Sequence, residues 1–317
     1  MLAYLRLFRW PNLAVVALTQ YLVRYALILP LLSQGGIEPA LSHFSFALLV
    51  LATLLITAAG YAINDYFDLR ADRINKPDKI VLGKHISRRT AIFFHSLFNL
   101  AGVLLGVILS ISVGSWQLAF IFIIIPFLLW MYSIRYKKKF FIGNFIVAVL
   151  AAFVVAIVWV FDFQALNGAT EADHLTINSI SFLVRSYAFF AFLTTLVREI
   201  IKDAEDIRGD AKTGCKTIPI VSGMSTTKRI IIFFNVALIV LVIAMQIYLL
   251  RRDFDLLFVY LIFAVQLPFI LMINKTINAV EKSDYNYLSK FAKLTMLGGV
   301  LSMVILYFYI QEGFSIL

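Results

Sequence analysis

Acidic residues are scarce in this chain, 18 of 317, against 28 lysines and arginines. Charged residues of both signs make up only 15%, hydrophobic ones reach 62%, and the mean hydropathy is +0.90. Such a composition excludes a soluble domain. The single cysteine, Cys215, excludes an intramolecular disulfide. His43, His85, His95 and His174 are scattered without ligand spacing, which argues against a histidine-built metal centre. The net charge of +10 would suit nucleic acid, but the basic residues fall in short loops between apolar segments. Basic loops beside membrane helices mark orientation and meet anionic headgroups, so the expected surroundings are membrane lipid and no nucleic acid. No cleavable signal peptide is evident, since Arg24 interrupts the first apolar segment and no small-residue cleavage pattern follows.

What is abundant is apolar sequence in runs long enough to cross about 30 Å of hydrocarbon. Residues 1–10 read as a short amphipathic helix ended by Pro11, with Leu2, Leu5 and Phe8 on one face and Arg6 and Arg9 beside it. Nine spanning segments follow, roughly 12–32, 44–63, 91–112, 116–134, 141–161, 178–197, 230–250, 255–273 and 292–311. The expected fold is therefore all-α: a single polytopic transmembrane domain over residues 1–317. Of the 28 Lys and Arg, 24 lie in the N-terminal stretch or after the second, fourth, sixth and eighth segments. The positive-inside rule then places the N-terminus in the cytoplasm and the C-terminus across the membrane, in a multi-pass cell (inner) membrane protein. The Glu171-Ala-Asp173-His174 stretch falls on the far side and reads as a solvated turn.

Half of the scarce acids are concentrated: nine of the 18 lie in 65–78 and 199–210. Asp65, Asp68 and Asp72 are spaced i, i+3, i+7, and Asp203, Asp206 and Asp210 repeat that spacing 138 residues later. On a helix this confines three carboxylates to an arc of about 60°. Like charges so placed repel unless a cation neutralises them, and the hard cation that carboxylate and phosphate oxygens share is Mg²⁺. The constant offset suggests two parallel pseudo-repeats, about 12–134 and 141–311, facing each other across a central cavity. Both clusters end segments that run toward the cytoplasm. The arrangement suits a diphosphate gripped through Mg²⁺, with Arg70, Lys76 and Lys84, then Arg198 and Lys202, completing the cradle, and Tyr132 and Ser133 as hydroxyl donors. Nine helices are needed only if the diphosphate carries a long hydrocarbon tail. Arg24 and Arg185 lie inside spanning segments, where a cavity role, snorkelling and a buried pair all remain open; His85, beside the first cluster, could touch phosphate.

Asn64-Asp-x-x-Asp68-x-x-x-Asp72, followed by Asn75-Lys-Pro77, Gly83, Ile86-Ser87 and Ala91, resembles the first signature of the UbiA-type membrane prenyltransferases. Arg198-Glu-Ile-Ile-Lys-Asp-Ala-Glu-Asp206-Ile-Arg-Gly-Asp210, with Gly214, Lys216-Thr217 and Pro219, resembles the second, in the form of the geranylgeranylglycerol-phosphate geranylgeranyltransferase branch. Arg9-Trp-Pro-Asn12 and Tyr132-Ser133 with its basic run also fit. The resemblance implies helices around a central cavity, with Mg²⁺ and a polyprenyl diphosphate between the motifs. It implies that Asn64, Asp68 and Asp72 coordinate from one side and Asp206 and Asp210 from the other; Asp65 and Asp203 match as flanking acids. Asp68, Asp72, Asp206 and Asp210 are the implied catalytic residues, and Asn64 would also touch substrate. The implied reaction moves a prenyl group, geranylgeranyl in this branch, to a membrane-soluble acceptor, a prenylglycerol phosphate hydroxyl. Aromatic-ring prenylation in quinone biosynthesis, cyclisation of the prenyl chain and, outside enzymes, lipid transport are the alternatives. One departure is local: many members read Arg-Pro-x-Pro-Ser-Gly where this chain has Lys79-Ile-Val-Leu-Gly83.

Overall fold

A computed structural model describes residues 2–165 and 171–313. Among them no strand forms, and nine helices are long and apolar enough to cross a membrane. A short helix α1 (Leu2–Leu7) precedes α2 (Trp10–Gln34), α3 (His43–Asn75), α4 (Arg88–Ser112), α5 (Trp116–Ile134) and α6 (Ile142–Gln164). Then come α7 (His174–Lys212), α8 (Ile218–Leu250), α9 (Asp255–Asn278) and α10 (Lys282–Gln311). Residues 171–173 carry no described side chains, so the Glu171–Asp173 expectation lies outside the description.

Local chemistry sets the helix ends. The Ser42 hydroxyl accepts from Ser45 N–H at 3.0 Å to start α3, and the Ser87 hydroxyl accepts from Thr90 N–H at 3.1 Å to start α4. Glu281 and Asp284 form a reciprocal capping box at the head of α10. Two spans carry a π-helical stretch, Val23–Ile28 in α2 and Ile262–Gln266 in α9, and each runs directly into a Leu-Pro step, Leu29-Pro30 and Leu267-Pro268. Proline supplies no N–H to the helical ladder, and the widened turn absorbs the gap.

The N-terminal helix does more than lie on a surface. Leu7 is fully buried with Ala62, Val81, Leu82, Ile86 and Ala91, so α1 is pinned to the loop after α3. Pro11 does not end a helix: Arg9 breaks the chain with φ 50, and Pro11 sits in the first turn of α2. The larger correction concerns α3 and α7. The apolar runs stop near residues 63 and 197, but the helices continue to Asn75 and Lys212. Both aspartate triplets are thus held on rigid helix.

Where α3 and α7 cross, Gly209 leaves no room for a side chain: a Cβ there would stand 2.4 Å from Asn75 Nδ2 and 2.7 Å from Ala71 O. Asn75 fills the crossing. Its Nδ2 donates to Asp206 O at 2.9 Å, and its Oδ1 accepts from Gly209 N–H at 2.8 Å. One side chain from the first motif therefore fixes the backbone of the second.

Arg24 settles into a buried pair. Its guanidinium bonds Asp162 and the Leu41 carbonyl, and Asp162 Oδ1 accepts from Ala40 N–H at 2.9 Å. Both side chains are fully buried, and neither lines the central cavity. Arg185 is exposed and donates to Ser181 O at 2.9 Å, one turn back along its own helix.

Candidate active site

A cavity of about 1000 Å³ runs between α2, α3, α5, α6, α7 and α10. Its inner walls are apolar, with Val15, Ile56, Phe122, Leu129, Val154 and Ile157 among the lining residues. The other end is charged. Asn64, Asp65, Asp68 and Asp72 line it from α3, and Asp203, Asp206 and Asp210 from α7. The two triplets expected to face each other therefore share one cavity.

Three cations neutralise part of this charge. Arg9 Nη2 lies 2.6 Å from Asp65 Oδ1, with its guanidinium 4.9 Å from the Tyr61 ring centre. Lys76 Nζ lies 2.6 Å from Asp206 Oδ2. Lys137 pairs with Asp68, which also accepts from Asn64 Nδ2 at 2.8 Å. Burial disfavours the charged form of Lys137 and Arg9, but the surrounding carboxylates, Asp68 and Asp65 first, outweigh it and hold both well above their ordinary range. Asp203 accepts from Asn144 Nδ2 at 2.8 Å. Asp72 and Asp210 have no ion pair among the described residues.

The donor set suits a hard divalent cation: seven carboxylate or amide side chains line one end, and Asp206 Oδ1 is buried with no hydrogen-bond partner. No three His, Cys, Asp or Glu among the described residues converge closely enough to hold one ion, and Lys76 and Lys137 pair with Asp206 and Asp68 there. The ammonium groups take the neutralising role that a metal would share.

Of the expected basic and hydroxyl groups, Lys76, Tyr132, Arg198 and Lys202 line the cavity. Arg70, Lys84 and Ser133 do not. Arg70 follows Asp68 by two residues, a turn of about 200°, which puts it on the outer face of α3. Ser133 is buried and spends its hydroxyl on Leu129 O at 2.9 Å. Lys84 and His85 are exposed, Lys84 donating to Pro77 O at 3.0 Å. The departing loop contributes apolar surface instead: Ile80, Val81 and Leu82 line the cavity.

Among the cavity groups without an assigned role in the sequence reading are Asn144, Asn286 and Lys293, and Lys137 entered it only as part of a basic run. Lys137 was one of three consecutive lysines, and only the short 3₁₀ turn Tyr136–Lys138 selects it. Asn144 and Lys293 lie in apolar helices, where an isolated polar residue was the available signal.

The UbiA prenyltransferase family matches residues 9–309. A digeranylgeranylglyceryl phosphate synthase from Methanosphaera stadtmanae is 29% identical over 247 residues, which is 78% of this chain and 82% of that protein. The apo structure of a UbiA homolog from Aeropyrum pernix K1 aligns with a TM-score of 0.61 at 15% identity, over 92% of this chain and 98% of that one. A UbiA homolog from Archaeoglobus fulgidus, bound to GPP and Mg²⁺, aligns with a TM-score of 0.50 at 15% identity, over 95% and 99%. Both structural likenesses concern the fold.

Proposed function

Starting from a chain that belongs to the UbiA prenyltransferase family, we propose that it is a Mg²⁺-dependent membrane prenyltransferase acting on a prenylglycerol phosphate. The observation that carries this is one cavity joining a carboxylate-rich end to a long apolar chamber. A polyprenyl diphosphate has the complementary shape, and geranylgeranyl diphosphate is the donor the relative's name favours. Asn64, Asp65, Asp68 and Asp72, with Asp203, Asp206 and Asp210, are the residues that would hold the metal. Bound Mg²⁺ supplies charge neutralisation for the diphosphate leaving group.

The chain's own residues do the rest. Lys76 and Lys137 place positive charge at the carboxylate end, where a departing diphosphate gathers negative charge. The apolar walls take the prenyl tail and keep water from the allylic carbon. In the reaction the bond between that carbon and the diphosphate oxygen breaks, a new bond forms to the acceptor oxygen, and the acceptor hydroxyl loses its proton. The charge census supports an active site and N-terminus in the cytoplasm and a C-terminus across the inner membrane. The repeat reading is supported by register: an offset of 138 carries α4 onto the 226–250 part of α8 and α5 onto 254–272, within α9 but for its first residue. An experimental structure in which α2–α5 fail to superpose on α6–α9 in that register overturns the two-repeat reading.

The direct test incubates purified protein in detergent with geranylgeranyl diphosphate, Mg²⁺ and a panel of acceptors, and identifies products by mass. The expected product is the prenyl ether of the glycerol phosphate. Transfer to aromatic acids alone, or diphosphate release with cyclised hydrocarbon, replaces the acceptor. No diphosphate release with any acceptor removes the enzyme reading.

A further inference from the structure

The cavity has a second polar corner, of opposite sign. On α7 the residues Glu199, Asp203, Asp206 and Asp210 fall in one arc, while Arg198, Lys202 and Glu205 fall in another about 100° around the helix. The first arc turns toward α3. The second turns toward α10, where Asn286 donates to Glu205 Oε1 at 2.8 Å and Lys293 also lines the cavity. Lys293 reaches across to α2 and donates to Asn12 Oδ1. Arg198 and Lys202 line the same cavity as Lys293.

Charge in this corner does not balance. Arg198 and Lys202 share one carboxylate, Glu199, at 3.0 and 2.9 Å. Lys293 has only a neutral amide oxygen as partner. Arg198 Nε is buried with no hydrogen-bond partner at all. Three cations thus face two carboxylates, Glu199 and Glu205, of which only Glu199 is ion-paired. One positive charge is therefore unmatched inside a membrane protein, where that is costly. At the carboxylate end the imbalance is reversed and calls for a cation; here it calls for an anion. Two lysines and a guanidinium whose Nε–H has no partner match a phosphate monoester, which carries nearly two charges and accepts several hydrogen bonds.

We infer that Arg198 and Lys202, expected from the sequence to complete the diphosphate cradle, instead form with Lys293 an anion site for the phosphate monoester of the lipid acceptor, separate from the carboxylate end that takes the diphosphate. This inference rests on the prenyl-transfer reading above and adds the residues that select a phosphorylated acceptor. Anchored there, the acceptor's phosphate stays clear of the two aspartate triplets. Arg198 and Lys202 precede Asp203 on the same helix by five residues and one, so the site adjoins the place where the prenyl group is released.

The test uses binding rather than turnover. Full-length protein in nanodiscs is titrated with a prenylglycerol phosphate and with the same prenylglycerol lacking the phosphate, with Mg²⁺ and with chelator. In the wild type the phosphate form should bind about tenfold or more tightly than the dephosphorylated form, in chelator as well as in Mg²⁺. Arg198→Gln with Lys293→Gln should collapse that ratio toward one, whereas Lys293→Arg, which keeps the charge, should retain it. Tailless glycerol phosphate should compete with the lipid phosphate in the wild type and not in the double variant. A ratio near one in the wild type, a ratio lost in chelator, or a ratio unchanged in the double variant overturns the assignment. Loss of the ratio in Lys293→Arg as well also overturns it, since charge would then not be what is read. If the ratio behaves as expected but no prenyl transfer occurs, the transfer reading fails and the anion site stands.

Discussion

Asp206 shows how little at this site is decided by residue type alone. One of its oxygens pairs with Lys76 and the other is buried without a partner, an arrangement that stays costly until an ion or a proton arrives. Asp206→Asn and Asp68→Asn should each cut prenyl transfer by about 100-fold or more, as loss of a metal-holding group does. Product formation by mass spectrometry is the readout, and persistence of activity in both variants or in chelator removes the metal cradle. Arg70→Gln and Ser133→Ala make the contrasting pair. Neither side chain lines the cavity, Arg70 is exposed and the Ser133 hydroxyl bonds only its own helix, so both variants should keep transfer within about twofold. Cys215 sits in the turn after α7, half-exposed, and burial pushes its thiol above the ordinary range. The thiolate is the reactive form, so its labelling by an impermeant maleimide should still be rising at pH 9, where an unperturbed thiol is already mostly ionised. In sealed vesicles of inverted orientation this single cysteine should label, and in right-side-out vesicles it should not; the reverse pattern overturns the proposed topology.

At the scale of elements, the crossing of α3 over α7 brings the two aspartate motifs together, and one glycine and one asparagine make it. Gly209→Ala would drive a methyl group against Asn75 and the Ala71 carbonyl. The helices must part, at a cost of about 1–3 kcal/mol for such overpacking, and the aspartates part with them. A lowered melting temperature in detergent together with reduced transfer is expected; a variant as stable and active as the wild type means that the crossing is not close. Asn75→Ala leaves the Gly209 N–H and the Asp206 carbonyl without this partner, a loss of about 1–3 kcal/mol for buried groups. The same crossing explains why the two spanning helices outlast their apolar runs. The charged extensions are solvated by the cavity and by each other rather than by lipid.

For the whole molecule, the far end of the bundle is tied by Arg24 on α2, Asp162 on α6 and the 40–41 backbone between α2 and α3. The pair holds no place in the cavity, so its role is in the folded assembly. Arg24→Met alone strands a buried carboxylate and should cost about 3–5 kcal/mol, whereas Arg24→Met with Asp162→Leu should recover much of that. Thermal unfolding in detergent measures both, and transfer per folded molecule should stay unchanged in the double variant. Equal destabilisation by the single and double changes would mean that the pair is not coupled.

The aspartate spacing, the number of spans and the all-helical class are legible in the chain read linearly, because lipid demands long apolar runs and satisfied backbones wherever they occur. The clustering of scarce acids is equally local, so the carboxylate end is visible before any folding. What the linear chain does not carry is angular position between distant helices. Arg70 and Lys76 look alike in a basic loop, yet a rotation of about 200° puts Arg70 outside while Lys76 reaches Asp206, 130 residues away. Lys137 is singled out from its two neighbouring lysines only by a turn of 3₁₀ helix. Lys293 meets Asn12 across 281 residues, and only packing of the last helix against the second creates the cationic corner. Hydropathy and charge spacing thus determine that there is a membrane cavity with an acidic end, because the solvent acts on each residue separately. Which cations face which anions is decided by tertiary structure, because electrostatic pairing acts over a few ångströms of space and takes no account of distance along the chain.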